Sequence, residues 1–204
     1  MGGNQTLAHY DLHAATYDAA FAAHDTSDAI ARLMAALNRS APAVLELGCG
    51  NGRDLLALRQ AGAKAEGVEG APTMARIASA RTGLPVHCFD LLSPREPPWH
   101  GRQFDALYAH HLLFHLPSPA LPWLLWRVRD WLVTDGLFYV CDATGDGLEG
   151  SMPDGRHVAL RRPQTMHRLM REAGFERVEE WRRPIGAPRR QQGWLAGIWR
   201  KLGE

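Results

Sequence analysis

The sequence predicts a single α/β domain in which short strands alternate with helices. Three observations carry that prediction. From residue 43 onward, short apolar runs that end in glycine or an acid alternate with segments whose apolar residues recur at helical spacing. One such run, Ala43-Val44-Leu45-Glu46-Leu47, breaks into Gly48-Cys49-Gly50-Asn51-Gly52 and resumes as a helical pattern at Leu55-Leu56-Ala57-Leu58. The length, 204 residues, suits one domain able to bury roughly 70% of its unfolded-chain surface.

The composition is globular, 46% hydrophobic and 22% charged, and a formal net charge of +1 selects no partner. Charge is unevenly spread: residues 1–150 carry 11 Lys/Arg against 16 Asp/Glu, and residues 151–204 carry 12 against 6. The basic C-terminal part is either a solvated arginine-rich surface or ground for an anionic partner, with a metabolite ranked above nucleic acid. Cys49, Cys88 and Cys141 form neither a C-x-x-C pair nor an even disulfide set. That suits a reducing compartment and argues against structural zinc. No apolar stretch approaches the roughly 20 residues of a membrane span and no basic-then-apolar leader is visible, so a cytoplasmic location without membrane partners is expected. The start Met1-Gly2-Gly3-Asn4-Gln5-Thr6 formally matches a myristoylation pattern, one short enough to arise by chance.

The central stretch is the most informative. Gly48, Gly50 and Gly52 leave a bend free of side chains, where a flat, charged ligand can lie against backbone N–H groups. Asn51 is placed to cap the next helix, with Asp54 three residues on in a capping-box-like arrangement. A dinucleotide G-x-G-x-x-G fingerprint fails, because its third glycine falls on Arg53. The segment 64–69 reads as a second strand whose terminal acid, Glu69, lies 21 residues past Gly48. A carboxylate there accepts from the cis hydroxyls of a ribose, chemistry common to more than one adenosine cofactor.

The rest follows in order. Residues 7–21 and 30–37 are alanine-rich with helical apolar spacing, and Thr26-Ser27-Asp28 is a helix start. Pro72 suits a first helical turn, with Met74, Ile77 and Ala78 as an apolar face, although Ala71 is a weak cap. A third strand spans 86–91 and ends at Asp90; a fourth, 104–109, leads into His110-His111-Leu112-Leu113-Phe114-His115. In the helix 121–132, Leu121, Leu124, Leu125, Val128 and Leu132 face the sheet, and Trp123 and Trp126 point away as a candidate homodimer surface. A fifth strand covers 136–142, the glycine-rich piece 143–155 reads as a loop, and Pro163 opens a helix closed by Gly174. Two further strands lie in 172–183 and 191–201.

Glu46, Gly48, Gly50 and Gly52 together resemble the Glu/Asp-x-Gly-x-Gly-x-Gly signature of the class I S-adenosylmethionine (SAM)-dependent methyltransferases. Other segments are similar to pieces of small bacterial members: 13–21 to "HAxxYDxxF", 104–117 to "FDxIxAxxxLLHVP", 133–136 to a degraded "L-x-P-G-G" turn, 154–157 to "DGRHF", and 191–201 to "xWLNVxARK". The resemblance implies a Rossmann-like, doubly wound seven-stranded sheet in the order 3-2-1-4-5-7-6, strand 7 antiparallel. Residues 1–40 would form an N-terminal helical lid and 41–204 the core of one domain, 1–204. It implies SAM as cofactor and S-adenosylhomocysteine (SAH) as product. The glycine bend would hold the methionine end, Glu46 the amino group, Glu69 the ribose and Asp90 the adenine N6 amino group. Tyr17 would lie over the cofactor and His110 line its methionine part; Cys49, Arg53, Gly70, Met74 and Leu91 complete the implied set.

His111 and His115 are candidates for a general base toward the acceptor, with packing or backbone hydrogen bonding as the alternative use. Residues 110, 111 and 115 have no carboxylate close by in sequence, so no metal is expected. The implied activity is methyl transfer to an N, O or S nucleophile of a small molecule. A catalytically inactive SAM-binding accessory protein and, behind it, an NAD(P)-dependent oxidoreductase are the alternatives.

Overall fold

The structure is a computed structural model that describes residues 2–21 and 24–203. Met1 of the myristoylation pattern, residues 22 and 23 of the expected lid, and residue 204 lie outside the described residues. At the centre of the sheet is β1 (Ala43–Leu47), flanked in parallel by β2 (Lys64–Glu69) and β4 (Phe104–His110). Outside these, also parallel, run β3 (Val86–Cys88) beside β2 and β5 (Leu132–Ala143) beside β4. β9 (Trp194–Lys201) is inserted antiparallel between β5 and β8 (Phe175–Arg183). The order β3-β2-β1-β4-β5-β9-β8 is the expected 3-2-1-4-5-7-6 once a separate hairpin, β6 (Leu148–Ser151) with β7 (His157–Leu160), is set aside.

Period-two alternation sends the strand residues into two layers. Leu45, Leu47, Leu107 and Phe138 pack with α6 (Leu121–Asp130) and α7 (Pro163–Glu172). Val44, Ala106, Tyr108 and Tyr139 pack with α3 (Ser27–Leu37) and α4 (Arg53–Gln60) on the other face. Glu46 and His110 fall on that second face by the same alternation, and their places at the ends of β1 and β4 put them at the carboxyl edge of the sheet.

Several local expectations are corrected. The helix expected over 7–21 is two, α1 (Gly2–Leu12) and α2 (Ala14–Phe21), interrupted at His13. The third strand stops at Cys88, so Asp90 stands in the loop after it, where its Oδ1 accepts from the Leu92 N–H at 2.9 Å. The fifth strand begins earlier than expected, at Leu132. The glycine-rich 143–155 segment contains β6, because Met152-Pro153-Asp154-Gly155 is turn chemistry: Gly155 N donates to Met152 O at 2.9 Å and Gly155 has φ +87°. Its strand residues are exposed and lack an apolar alternation, which hid them from a reading by periodicity.

Two caps also differ. Helix α4 starts at Arg53 behind Gly52, which is left-handed with φ +79°; Asn51 Oδ1 accepts only from Arg53 N, at 3.2 Å. Asp54 is drawn into the interior instead of back to the cap, accepting from Thr26 Oγ1 at 2.6 Å and from the Tyr108 hydroxyl at 3.2 Å. Helix α5 (Pro72–Thr82) has the weak Ala71 at its cap position, and the missing acceptor arrives from α1: Asp11 Oδ1 takes the Thr73 N–H at 2.6 Å.

Candidate active site

A cavity of about 730 Å³ opens where the chain leaves β1 and β4 on opposite sides of the sheet. Ligands of open α/β sheets sit at such a switch, because adjacent crossovers diverge there and leave a crevice. Glu46, Gly48, Cys49, Gly50, Arg53, Glu69, Gly70, Met74, Asp90, Leu91, His110, His111 and His115 all contribute to its wall.

Two sequence candidates do not. Gly52 sits behind the bend, where a Cβ would come within 2.9 Å of Thr82 Cγ2 and 3.1 Å of the Ala78 Cα, so it serves α4–α5 packing. Tyr17 is turned off the cavity, its hydroxyl 3.0 Å from His9 Nε2 and its ring 4.6 Å from that of Tyr10. Tyr10, Leu7, Thr6 and Phe21 supply the wall from α1 and α2 in its place. The periodicity of an alanine-rich helix gives no way to choose between Tyr10 and Tyr17.

The acids differ in how well they are satisfied. Glu69 accepts from Gly50 N at 2.9 Å and from Ala71 N at 2.8 Å. Burial raises its carboxyl above the usual range, and those N–H groups offset part of the rise. Glu46 is 4% exposed and its Oε2 has no hydrogen-bond partner. Burial pushes its carboxyl well above the ordinary value; the nearby charge of Asp54 adds to this, Arg53 offsets part, and Glu69 adds further. Arg53 itself is committed to Asp54, with Nε to Oδ1 at 2.6 Å and Nη2 to Oδ2 at 2.9 Å. Gly48 has φ +66°, and a Cβ there would meet Leu112 Cδ1 at 2.7 Å, so the bend needs glycine at this point.

The histidines have separate roles. His115 Nδ1–H donates to the His157 carbonyl at 2.7 Å, which leaves Nε2 to accept from the Tyr10 hydroxyl at 2.8 Å, while Tyr10 accepts from Arg156 Nη1 at 2.9 Å. The directions are forced, since a carbonyl only accepts and a guanidinium only donates. Both ring nitrogens of His115 are thus occupied, and burial brings its pKa down to about 4. It ties α1 to the hairpin, which is the packing and backbone-bonding use expected as the alternative to a base.

His110 Nδ1 lies 3.0 Å from the Tyr139 hydroxyl and 3.4 Å from that of Tyr108, and burial takes its pKa well below the usual value. His111 has φ +60°, a conformation unusual outside glycine, and its ring stacks on Trp194 at 3.7 Å. Burial, with His110 and Arg183 next in effect, lowers its pKa to about 2. It is a neutral imidazole at the cavity wall.

His110, His111 and Cys141 each bring a ligand-type atom to within 4.8 Å of the others. Cys141, not His115, is the third member, because it is the register partner of His110 across β4 and β5. The wall residues that the sequence reading passed over include Arg183, Pro184 and Trp194. Arg156, in the 154–157 segment, also reaches the wall.

A parallel sheet that ends in three acids around a side-chain-free bend defines an α/β protein built to hold an adenosine-like ligand at its switch point. The chain belongs to the methyltransferase domain family, whose profile matches residues 17–180, and is a class I SAM-dependent methyltransferase. No curated relative matches it in sequence. Among solved structures it is similar to Burkholderia thailandensis 1,6-didemethyltoxoflavin-N1-methyltransferase with bound 1,6-didemethyltoxoflavin and SAH, at 22% identity over 97% of this chain and 88% of that one, TM-score 0.74. The DhpI–SAH complex is similar at 23% identity over 100% and 98%, TM-score 0.72. The glycopeptide N-methyltransferase MtfA with sinefungin is similar at 15% identity over 89% and 95%, TM-score 0.69. Among the described residues no helix is long and apolar enough to cross a membrane.

Proposed function

We propose that this methyltransferase transfers the methyl group of SAM to an N, O or S nucleophile of a small-molecule acceptor. The observation that carries the reading is Glu46: a buried carboxylate with an unpartnered oxygen on the cavity wall, beside a bend of glycines. Such a group fits an α-ammonium, which supplies the missing donor and the missing positive charge. The remaining wall fits the rest of SAM. Gly48, Cys49, Gly50, Arg53 and His110 would hold the methionine part; Glu69, Gly70 and Met74 the ribose; and Asp90 and Leu91 the adenine.

When bound, SAM supplies a methyl group on a positively charged sulfur, already activated for in-line displacement. The chain's own share is alignment and exclusion of water. His111 is the remaining candidate to take a proton from the acceptor, but a pKa of about 2 makes its imidazole a weak base, so the reading favours acceptors whose nucleophile is already unprotonated at working pH. Such a step is needed only for acceptors protonated at working pH. Tyr10, His115 and Arg156 position the wall from α1. A cavity of about 730 Å³ supports a small acceptor beside the donor, as do the small molecules named in the structural relatives.

SAM and SAH titration by calorimetry, followed by SAH release against a metabolite panel, tests the reading. Turnover of a small acceptor is expected; SAM binding without turnover of any acceptor returns the accessory-protein alternative, and NAD binding without SAM binding the oxidoreductase. The exposed pair Trp123 and Trp126, 43% and 62% exposed on α6, supports a second reading, self-association through that face.

A further inference from the structure

Three arginines stand on the cavity wall, and two are spent. Arg53 forks onto Asp54, and Arg156 onto Asp154, with Nε at 3.0 Å and Nη2 at 2.7 Å from Oδ2, while its Nη1 serves Tyr10. Arg183 differs. Its Nη2 pairs with Asp28 Oδ1 at 2.8 Å and the Asp25 carbonyl at 2.6 Å, but Nη1 is buried and makes no hydrogen bond among the described residues, and the side chain is only 12% exposed. A guanidinium has donors alone, so only an acceptor atom can satisfy it. The nearby Tyr139 hydroxyl interacts with Arg183 electrostatically and is 3.0 Å from His110 Nδ1, but it falls outside hydrogen-bond geometry with Nη1.

Sheet order separates this arginine from the acids. Glu46 is the penultimate residue of β1, Glu69 ends β2 and Asp90 follows β3, whereas Arg183 ends β8 at the opposite edge of the sheet. Between the two sides the wall is aromatic: Trp194 carries His111 on its face and Phe114 against it with ring centroids 5.6 Å apart, and Pro184 adjoins. The donor side thus carries three acids, and the acceptor side holds an arginine that Asp28 and the Asp25 carbonyl satisfy at Nη2 alone, next to aromatic rings.

We propose that Arg183 recognises an anionic oxyacid group, a carboxylate or a phosphate, on the methyl acceptor, whose apolar body lies against Phe114, Pro184 and Trp194. This rests on the assignment of the cavity to donor and acceptor together. Buried, charge-assisted pairing to a guanidinium discriminates strongly against neutral isosteres, which leave the donor unfilled.

The test titrates benzoate, phenyl phosphate and benzamide into SAH-saturated protein, for the wild type, Arg183→Gln and Arg183→Lys. One of the anions is expected to bind at least about tenfold more tightly than benzamide to the wild type, and which anion does so tells carboxylate from phosphate. Arg183→Gln is expected to erase that preference by about tenfold to a hundredfold, the range of one charge-assisted hydrogen bond, and Arg183→Lys to retain part of it. Equal binding of benzamide, no binding of any probe, or a preference that survives Arg183→Gln overturns the proposal. SAH affinity is measured first in each protein. If the wild type binds no SAH, the donor assignment has failed, and the same probes on the free protein still report on Arg183. If only Arg183→Gln loses SAH, the wild-type ratio and Arg183→Lys decide.

Discussion

Replacing Glu46 by Gln removes the charge on which recognition of the donor is argued to depend and keeps the shape. In the free protein the carboxyl is buried, one oxygen lacks a partner, and its pKa is raised well above the ordinary value by burial. A raised folded-state pKa means that the folded chain retains a proton which the unfolded chain has released. The wild type therefore loses stability as pH rises from the unfolded value upward, and glutamine escapes that loss. An ammonium arriving at Glu46 stabilises the ionised form and expels the proton, so SAM affinity rises with pH until Glu46 ionises in the free protein. The lost interaction is one charge-assisted hydrogen bond, about 1.5–3 kcal/mol, or roughly tenfold to 150-fold in Kd. Calorimetry in phosphate and in Tris, which differ in ionisation enthalpy, counts the protons: up to about one more released per SAM by the wild type than by Glu46→Gln. The variant serves as the blank for the ligand's own amine. The variant is also expected to melt higher than the wild type at pH 8 in the absence of ligand. Equal Kd values for the two proteins, with equal proton release, would refute the reasoning.

Three further outcomes are expected. Asp142, buried at the end of β5 with its pKa raised to about 7 by burial, holds a proton that the unfolded chain loses near 3.8. Wild-type stability is therefore spent as pH rises between those values, and the Tm advantage of Asp142→Asn should grow from pH 5 to pH 8, bounded by about 4 kcal/mol; a constant difference would contradict this. Gly48→Ala places a Cβ 2.7 Å from Leu112 Cδ1 at φ +66°, costing about 1–2 kcal/mol of backbone strain and weakening SAH binding in calorimetry, since the bend must shift; unchanged affinity and Tm would show that the bend is looser than described. Sedimentation of the wild type and of a Trp123→Ala, Trp126→Ala double variant tests the α6 face: a dimer that dissociates in the variant is expected, and a monomer in both rules it out.

What the sequence determined by itself is the succession of strand, glycine bend and helix and the acids at the strand ends; the sheet order came with the family resemblance and agrees with the structure. Glu46 and Glu69 lie at the ends of their strands and Asp90 just past the third, and strand, bend and helix are neighbours along the chain, so apolar period and glycine placement are enough to locate them. The tertiary structure decided the rest. Tyr10 rather than Tyr17 reached the wall because Arg156 and His115, 146 and 105 residues away, hold its hydroxyl. His115 was withdrawn from chemistry by His157, and α5 received its cap from Asp11 on another helix. Arg183 faces the cavity only because β9 inserts between β5 and β8 and carries Trp194 to its side. Contacts between residues so far apart leave no period in the chain, and an arginine with a spare donor reads like any other until its neighbours are in place.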